Sequence, residues 1–241
     1  MRIISLFFFI LLISCNNNIH EEAFQLQIGD ILFQDLDSSP LCDAIELVTP
    51  GYKNADFSHI GIIVEGGIPF TTNPDRRFEE KYFYNLKEDF RVLEALPEKI
   101  KTTRLDSFLN RSFDKDNNPK IIVGRLKKEY QYTIGNAIHF LKSKIGDPYD
   151  DDFLIDNNKY YCSELIYDAF KKDSIFELQA MTFIDPTTNK PMDIWKDYYN
   201  KLKLDIPEGK LGINPGIMSI SNKIDIVHIY GYPTNIEINN E

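Results

Sequence analysis

The stretch of sequence that decides the fold is YYCSELIYDAF, residues 160–170. Its apolar positions recur at helical spacing and predict a helix with one buried face, formed by Leu165, Ile166, Ala169 and Phe170. Cys162 stands at the start of this helix, directly after an acidic loop at residues 150–159. Free backbone N–H groups and the helix dipole at such a start stabilise a thiolate and can hold a developing oxyanion. The position favours Cys162 as a nucleophile rather than a structural cysteine.

The rest of the chain predicts strands first and helices later. Strands are predicted at residues 31–33, 58–64, 91–96, 121–126 and 224–230. Further helices are predicted at residues 41–48, at residues 130–145 and near Trp195. This order indicates an α+β domain rather than a doubly wound parallel sheet.

A cysteine nucleophile needs a base, and the chain has four histidines. His59 begins a strand ahead of an apolar run, where its ring would have little freedom. The other three histidines are more typical of solvated or structural roles. His20 lies near the N-terminus, His139 lies within a helix, and His228 lies in the last strand. The sequence therefore favours His59 as the base.

Glu94 is the best candidate for the group that orients the His59 ring. It is a carboxylate inside an otherwise apolar strand, and a buried carboxylate without a partner costs free energy. Glu65 is the alternative, although it adjoins a turn at residues 66–67, and a Glu94 that faced water would have no such role. Residue types alone would also allow a zinc site that includes Cys162, but the spacing does not favour one.

The first fifteen residues predict a lipoprotein signal. The apolar run at residues 3–13 is too short to span a bilayer, which needs about 20 residues, but it suits a secretory signal. It ends in LISC at residues 12–15, which resembles the bacterial lipobox. We therefore expect removal of residues 1–14, lipid on Cys15, and a tether over residues 15–25. Such a protein would be anchored to a membrane in the cell envelope.

Composition and cysteine usage narrow the remaining possibilities. The net charge of −10 argues against nucleic acid as a partner, because binding a polyanion needs basic patches. A hydrophobic share of 43% supplies one sizeable core, and the length alone permits one or two domains. We expect residues 26–241 to form a single domain. Residues 71–89, rich in charge and aromatic side chains, are interpreted as an insertion. Cys42 and Cys162 do not make a disulfide framework, although a bond between them is conceivable.

Five segments follow one another in a recognisable order: Gly29–Phe33, Phe57–Ile62, Val92–Ala95, Gly146–Asp150 and Tyr161–Tyr167. Together they resemble the YiiX/YaeF-like group of permuted papain-like hydrolases, relatives of the NlpC-type peptidases. The resemblance implies a circularly permuted papain-like fold of the α+β class. In that fold an antiparallel sheet or barrel packs against helices, and the cysteine lies at a helix N-terminus.

The resemblance also implies the roles of the site residues. Cys162 would be the nucleophile, His59 the base and Glu94 the orienting carboxylate. Tyr161 and Tyr149 would line the substrate cleft. The chemistry then runs through a thioester acyl-enzyme and needs no metal or other cofactor.

An amide bond in a peptidoglycan stem peptide or a small peptide is the expected substrate. Hydrolysis or transfer of a lipid acyl group at the same site is one alternative. A non-catalytic binding module of the cell envelope is the other. The sequence gives no indication of the oligomeric state.

Overall fold

The computed structural model describes residues 24–66 and 90–238. The predicted signal at residues 1–14, the predicted lipidation site Cys15 and the predicted insertion at residues 71–89 lie outside the described residues. Within the described part of the chain, no helix is both long enough and apolar enough to cross a bilayer.

The centre of the molecule is a six-stranded antiparallel sheet with two open edges. Its strands are β1 (Ile31–Gln34), β2 (His59–Glu65), β3 (Arg91–Leu96), β4 (Lys99–Arg104), β5 (Ile121–Leu126) and β10 (Ile224–Ile229). They pair in the order β10-β5-β1-β2-β3-β4. The expected α+β class with an antiparallel sheet is confirmed. In the described residues the sheet takes the open form and not the barrel form.

Six α-helices and two short strand pairs surround this sheet in the described residues. The helices are α1 (Pro40–Leu47), α2 (Leu105–Leu109), α3 (Ile134–Ser143), α4 (Cys162–Phe170), α5 (Asp193–Leu202) and α6 (Pro215–Ser219). The short strands are β6 (Gln179–Ala180), β7 (Ile184–Asp185), β8 (Lys190–Pro191) and β9 (Leu211–Gly212). β6 pairs with β9, and β7 pairs with β8. A 3₁₀ turn at Lys128–Thr133 precedes α3, so the helix predicted at residues 130–145 begins as a tighter coil.

Both faces of the sheet are covered, which explains why the central strands are buried at almost every position. One face packs against α3 and α4 through a cluster that includes Phe33, Ile62, Leu93, Leu165 and Phe170. The other face packs against α2 through a smaller cluster that includes Leu32, Ile63, Val92, Phe108 and Val123. A third cluster joins α1 to α5 through Ala44, Phe183, Trp195 and Tyr199.

β4 and α2 are among the elements near the site that the sequence did not predict. β4 is an edge strand whose side chains are mostly polar and, apart from Ile100, exposed or partly exposed, so it lacks the apolar alternation of a buried strand. α2 spans five residues, which is too short to show a helical period.

The two remaining cysteines differ in burial. Cys42 is half-buried on α1, and its sulfur contacts the hydroxyls of Ser38 and Ser39. Cys42 and Cys162 are both free thiols. The conceivable disulfide between them is therefore not formed.

Candidate active site

Cys162 is the first residue of α4 and is 7% exposed. The residues on either side of it are tied to the same distant segment. The Tyr161 hydroxyl accepts a hydrogen bond from the backbone N–H of Ile213 at 3.1 Å, and the Ser163 hydroxyl donates to the Ile213 carbonyl at 2.9 Å. The start of the helix is therefore fixed in place, and the N–H groups of its first turn have no acceptor within the helix.

His59 is brought to Glu94 by the pairing of β2 with β3. Ile63 lies opposite Val92, and strand alternation then puts His59 and Glu94 on the same face. The His59 Nε2 and Glu94 Oε2 atoms are 2.6 Å apart. The Cys162 side chain is a neighbour of the same ring and, like Glu94, raises the pKa of the imidazole.

Glu94 is fully buried and is held by a second cation, Arg111. Arg111 Nη1 donates to Oε2 at 2.7 Å, and Nη2 donates to Oε1 at 2.6 Å. Burial alone would raise the pKa of Glu94, but the hydrogen bonds from Arg111 and then from His59 lower it to about 2. Glu94 is therefore ionised throughout the physiological pH range.

The same contacts set the charge of His59. Burial lowers the pKa of the imidazole, but hydrogen bonds to Cys162 and Glu94, together with their negative charges, raise it to about 9. The ring is also packed against Phe108, with centroids 5.7 Å apart. At neutral pH the site therefore favours the imidazolium form of His59, and a positive charge next to a thiol is what activates a cysteine nucleophile.

The two tyrosines predicted to line the site both contact the cleft beside Cys162. Burial raises the pKa of Tyr161 well above its ordinary value, so its hydroxyl keeps the proton while accepting from Ile213. Burial, followed by the negative charge of Cys162, also raises the pKa of Tyr149. Both phenols are therefore neutral groups next to the nucleophile.

The cleft itself encloses about 870 Å³, part of which is open to solvent. The main apolar contributors come from five separate parts of the chain: Ile45, Val48, Phe153, Met181, Phe183, Trp195, Ile213 and Ile217. Its polar contributors are neutral: Thr49, Ser58, Ser163, Gln179, Thr182 and Asn214. Among the described residues, no Asp, Glu, Lys or Arg side chain lines the cleft.

The alternatives weighed from the sequence lie away from this arrangement. Glu65 is exposed and pairs with Lys142 at 2.8 Å. His228 stacks on Phe24, with ring centroids 4.2 Å apart, in the last strand. His139 lies on α3. The described residues thus bring Cys162 together with the histidine and the carboxylate that the sequence favoured.

Sequence reasoning missed Arg111. A buried carboxylate demands a cation, so Glu94 was itself the signal that one is near. Nothing in the sequence says which of the 27 lysines and arginines supplies it, because the partner lies 17 positions away beyond a short helix.

A metal site was also possible by residue type. In residues 24–66 and 90–238, no group of three or more His, Cys, Asp or Glu side chains is arranged to hold a metal ion. His59 and Glu94 are engaged with each other, and Arg111 occupies both oxygens of the carboxylate.

Comparison with known proteins shows the family and the fold of the chain. No curated protein matches the chain. The fold is similar to a crystal structure of the metalloprotein YiiX from Escherichia coli O157:H7, with a TM-score of 0.64 and 23% sequence identity. That similarity covers 87% of this chain and 100% of the other. The family model for permuted papain-like amidases of the YaeF/YiiX type, the C92 family of peptidases, matches residues 25–228. The chain therefore belongs to this family of cysteine amidases and has its permuted papain-like fold.

Proposed function

We propose that the chain hydrolyses an amide bond with Cys162 as nucleophile, His59 as proton carrier and Glu94 as the group that orients His59. One observation carries this proposal. His59 Nε2 lies 2.6 Å from Glu94 Oε2, and Cys162 is close enough to the same ring to raise the pKa of the imidazole. All three side chains are buried, and Cys162 lines an open cleft. Membership of an amidase family supports the reaction type.

The first half of the reaction uses the ion pair directly. The Cys162 thiolate attacks the carbonyl carbon of the bound amide, and negative charge develops on the carbonyl oxygen. The backbone N–H of Cys162, at the start of α4, donates to that oxygen. Loss of one such donor typically slows an enzyme by about 10²–10³-fold. His59 then gives its proton to the leaving amine, and a thioester to Cys162 remains.

The second half returns the enzyme to its starting state. His59, now neutral, takes a proton from water, and the resulting hydroxide attacks the thioester carbonyl. Cys162 leaves as the thiolate, the carboxylic acid product departs, and His59 is an imidazolium again. Glu94 stays ionised throughout and holds the ring in the tautomer that presents its second nitrogen to the sulfur.

The proposed substrate is an amide in a peptidoglycan stem peptide or a small peptide, met in the cell envelope. The family supports an amide bond, and the lipobox-like sequence that ends at Cys15 supports the location. A lipid on Cys15 would hold the enzyme at a membrane. Mass spectrometry of the mature N-terminus tests this: an acylated Cys15 is expected, and an unmodified Cys15 in the native protein contradicts the anchor.

A second candidate substrate is favoured by the cleft. Its lining is apolar and, within the described residues, carries no charged side chain, whereas stem peptides bear carboxylates that usually call for a cation. An acyl chain would fit such a surface by burial alone. The alternative function is therefore hydrolysis or transfer of a lipid acyl group through the same Cys162 thioester.

The test is to trap the thioester on the full chain. The protein is mixed with two substrates in turn, a stem tripeptide amide and a fatty-acyl amide of an amino acid, and is quenched in acid. Peptide mapping by mass spectrometry should then find the acyl part of one substrate on Cys162. The adduct and the product should both disappear in Cys162→Ala and persist in Cys42→Ala, the matched control with the other free thiol removed.

The outcomes separate the candidates. A peptidyl adduct supports the first substrate, and a fatty-acyl adduct supports the second. No adduct and no product with either substrate, from a protein whose Cys162 reacts as slowly as a free thiol, would contradict the enzyme proposal and favour a binding module.

A further inference from the structure

Arg111 is bonded to both oxygens of the carboxylate that faces His59. We infer that Arg111 is a positioning residue that keeps Glu94 ionised and fixed, and thereby sets the acidic limit of Cys162 reactivity. The inference rests on the proposed function, since it concerns how the same site is kept active. Arg111 reaches Cys162 only through Glu94 and His59.

The geometry leaves Glu94 no freedom. Oε2 accepts from both His59 and Arg111, and Oε1 accepts from Arg111. A carboxylate with a two-point contact of this kind cannot rotate without breaking at least one charge-assisted hydrogen bond. Because Glu94 is fully buried, water cannot replace a bond that is lost.

Arg111 is in turn held by the structure that holds His59. Its guanidinium carbon lies 5.0 Å from the centroid of the Phe108 ring, which also packs against His59. The Phe108 carbonyl accepts from Gln34 Nε2 at 2.8 Å, and Gln34 lies opposite His59 in the pairing of β1 with β2. The hydrogen bond from the Gln34 side chain to the Phe108 carbonyl therefore holds the strand pair that carries His59 next to the segment that carries Arg111.

In the thiolate state of Cys162 that the proposed mechanism uses, the site is a row of alternating charges: thiolate, imidazolium, carboxylate and guanidinium. The charged groups that the described residues place around Glu94 are His59 from β2, Arg111 after α2, and Lys101 from β4. Lys101 lies opposite Glu94 in the register, but it is exposed, and no ion pair between the two is found in the described residues. Arg111 is thus the cation that balances this buried carboxylate.

Removal of the guanidinium should change the titration of Glu94. Burial is the largest influence on the pKa of Glu94 and raises it, and the Arg111 hydrogen bonds are the first of the influences that lower it. Without them the carboxylate binds a proton at mildly acidic pH. A neutral Glu94 no longer stabilises the imidazolium, and the thiolate is lost with it.

The experiment measures the rate of Cys162 alkylation by iodoacetamide between pH 4.5 and 9, by peptide mass spectrometry of the full chain. It compares the wild type with Arg111→Met and Arg111→Lys. The acidic limb of the rate profile should move up by about one pH unit or more in Arg111→Met, which is about tenfold slower reaction below the limb. Arg111→Lys keeps the charge without the two-point contact, so its shift should be smaller.

Arg125 supplies the matched control. It forms the same kind of contact with a buried carboxylate, Asp30, through bonds of 2.7 and 2.8 Å. Arg125→Met should lower stability without moving the acidic limb, because Asp30 does not contact the site. An equal shift in Arg125→Met would mean that general loosening is the cause, and it would overturn the inference.

A second readout separates this inference from the proposed function. The carboxyl carbon-13 signal of Glu94, assigned with Glu94→Gln, reports its ionisation whether or not the protein turns over any substrate. The wild type should show no titration above pH 4, and Arg111→Met should titrate above pH 5. An unchanged Glu94 signal in Arg111→Met would overturn the inference even in an active enzyme. A slow, ordinary Cys162 in the wild type would instead contradict the proposed function.

Discussion

Substitution of Glu94 by glutamine tests the carboxylate that faces His59. The change keeps the size of the side chain and removes its charge. Glu94 now accepts one hydrogen bond from His59 and two from Arg111. An amide has a single oxygen, so its N–H₂ group must face at least one of these donors and cannot accept from it. The variant should therefore lose the two-point contact with Arg111 or the contact with His59, and in either case it loses the charge next to the ring.

The magnitude follows from the charge state of His59. Burial lowers the pKa of the imidazole, and the contacts with Cys162 and Glu94 are what hold it at about 9. Without the Glu94 contacts the pKa should fall toward the ordinary 6.5, and each unit of that fall corresponds to about 1.4 kcal/mol of lost imidazolium stabilisation. The imidazolium that the proposed mechanism needs is then less populated at pH 7. Alkylation of Cys162 at that pH should slow by about tenfold or more.

The assay is site-specific alkylation of Cys162 by iodoacetamide from pH 5 to pH 10, together with thermal unfolding. Glu65→Gln is the matched control, because Glu65 lies on the neighbouring strand, is exposed and pairs only with Lys142 in the described residues. It should leave the rate profile unchanged. A folded Glu94→Gln protein with the wild-type rate and profile would refute the assignment of Glu94 as the orienting group.

Three further predictions concern stability and substrate choice. Burial, with the charges of neighbouring aspartates, raises the pKa of Glu46 from 4.5 to about 8. The free energy of unfolding of the wild type should therefore fall as the pH rises from 4.5 to 8. Urea unfolding should show a smaller fall in Glu46→Gln. Tyr161→Phe leaves the buried N–H of Ile213 without its acceptor and should lower the free energy of unfolding by about 1–2 kcal/mol, measured the same way; no change would contradict the role of that bond. Ile217→Glu puts a charge into the cleft and should raise KM for a fatty-acyl amide by about tenfold or more, whereas Ile220→Glu, at an exposed position just beyond α6, should not; equal KM values would contradict acyl binding in the cleft.

The sequence was informative where a residue contradicts its surroundings. Glu94 is a charge in an apolar strand, and Cys162 begins a helix directly after a polar loop. Each position imposes a local physical demand, and the structure brings both residues to His59. The spacing of these residues along the chain did not predict that they meet. The five segments were linked into one fold only because their order resembles that of the permuted papain-like hydrolases.

What the sequence did not reveal depends on long-range contacts. Arg111 lies in a polar stretch, and its role exists only because β3 and α2 come together. The cleft wall is also assembled from distant segments, such as α1 and the residues around Phe183 and Ile213. Such residues look like ordinary core or loop positions when read along the chain. β4 was missed for a related reason, since an exposed edge strand has little apolar pattern.

The bonds around Glu94 have a consequence for how the protein is made. In the described residues, the hydrogen-bond partners of that carboxylate are His59 and Arg111. Because the ribosome synthesises the chain from its N-terminus, both cationic partners of this carboxylate are made about fifty residues before Cys162. Its buried charges can be neutralised within the nascent sheet, and the helix that carries the sulfur docks afterwards. During synthesis the most reactive group of the protein is thus the last member of the site to meet its base.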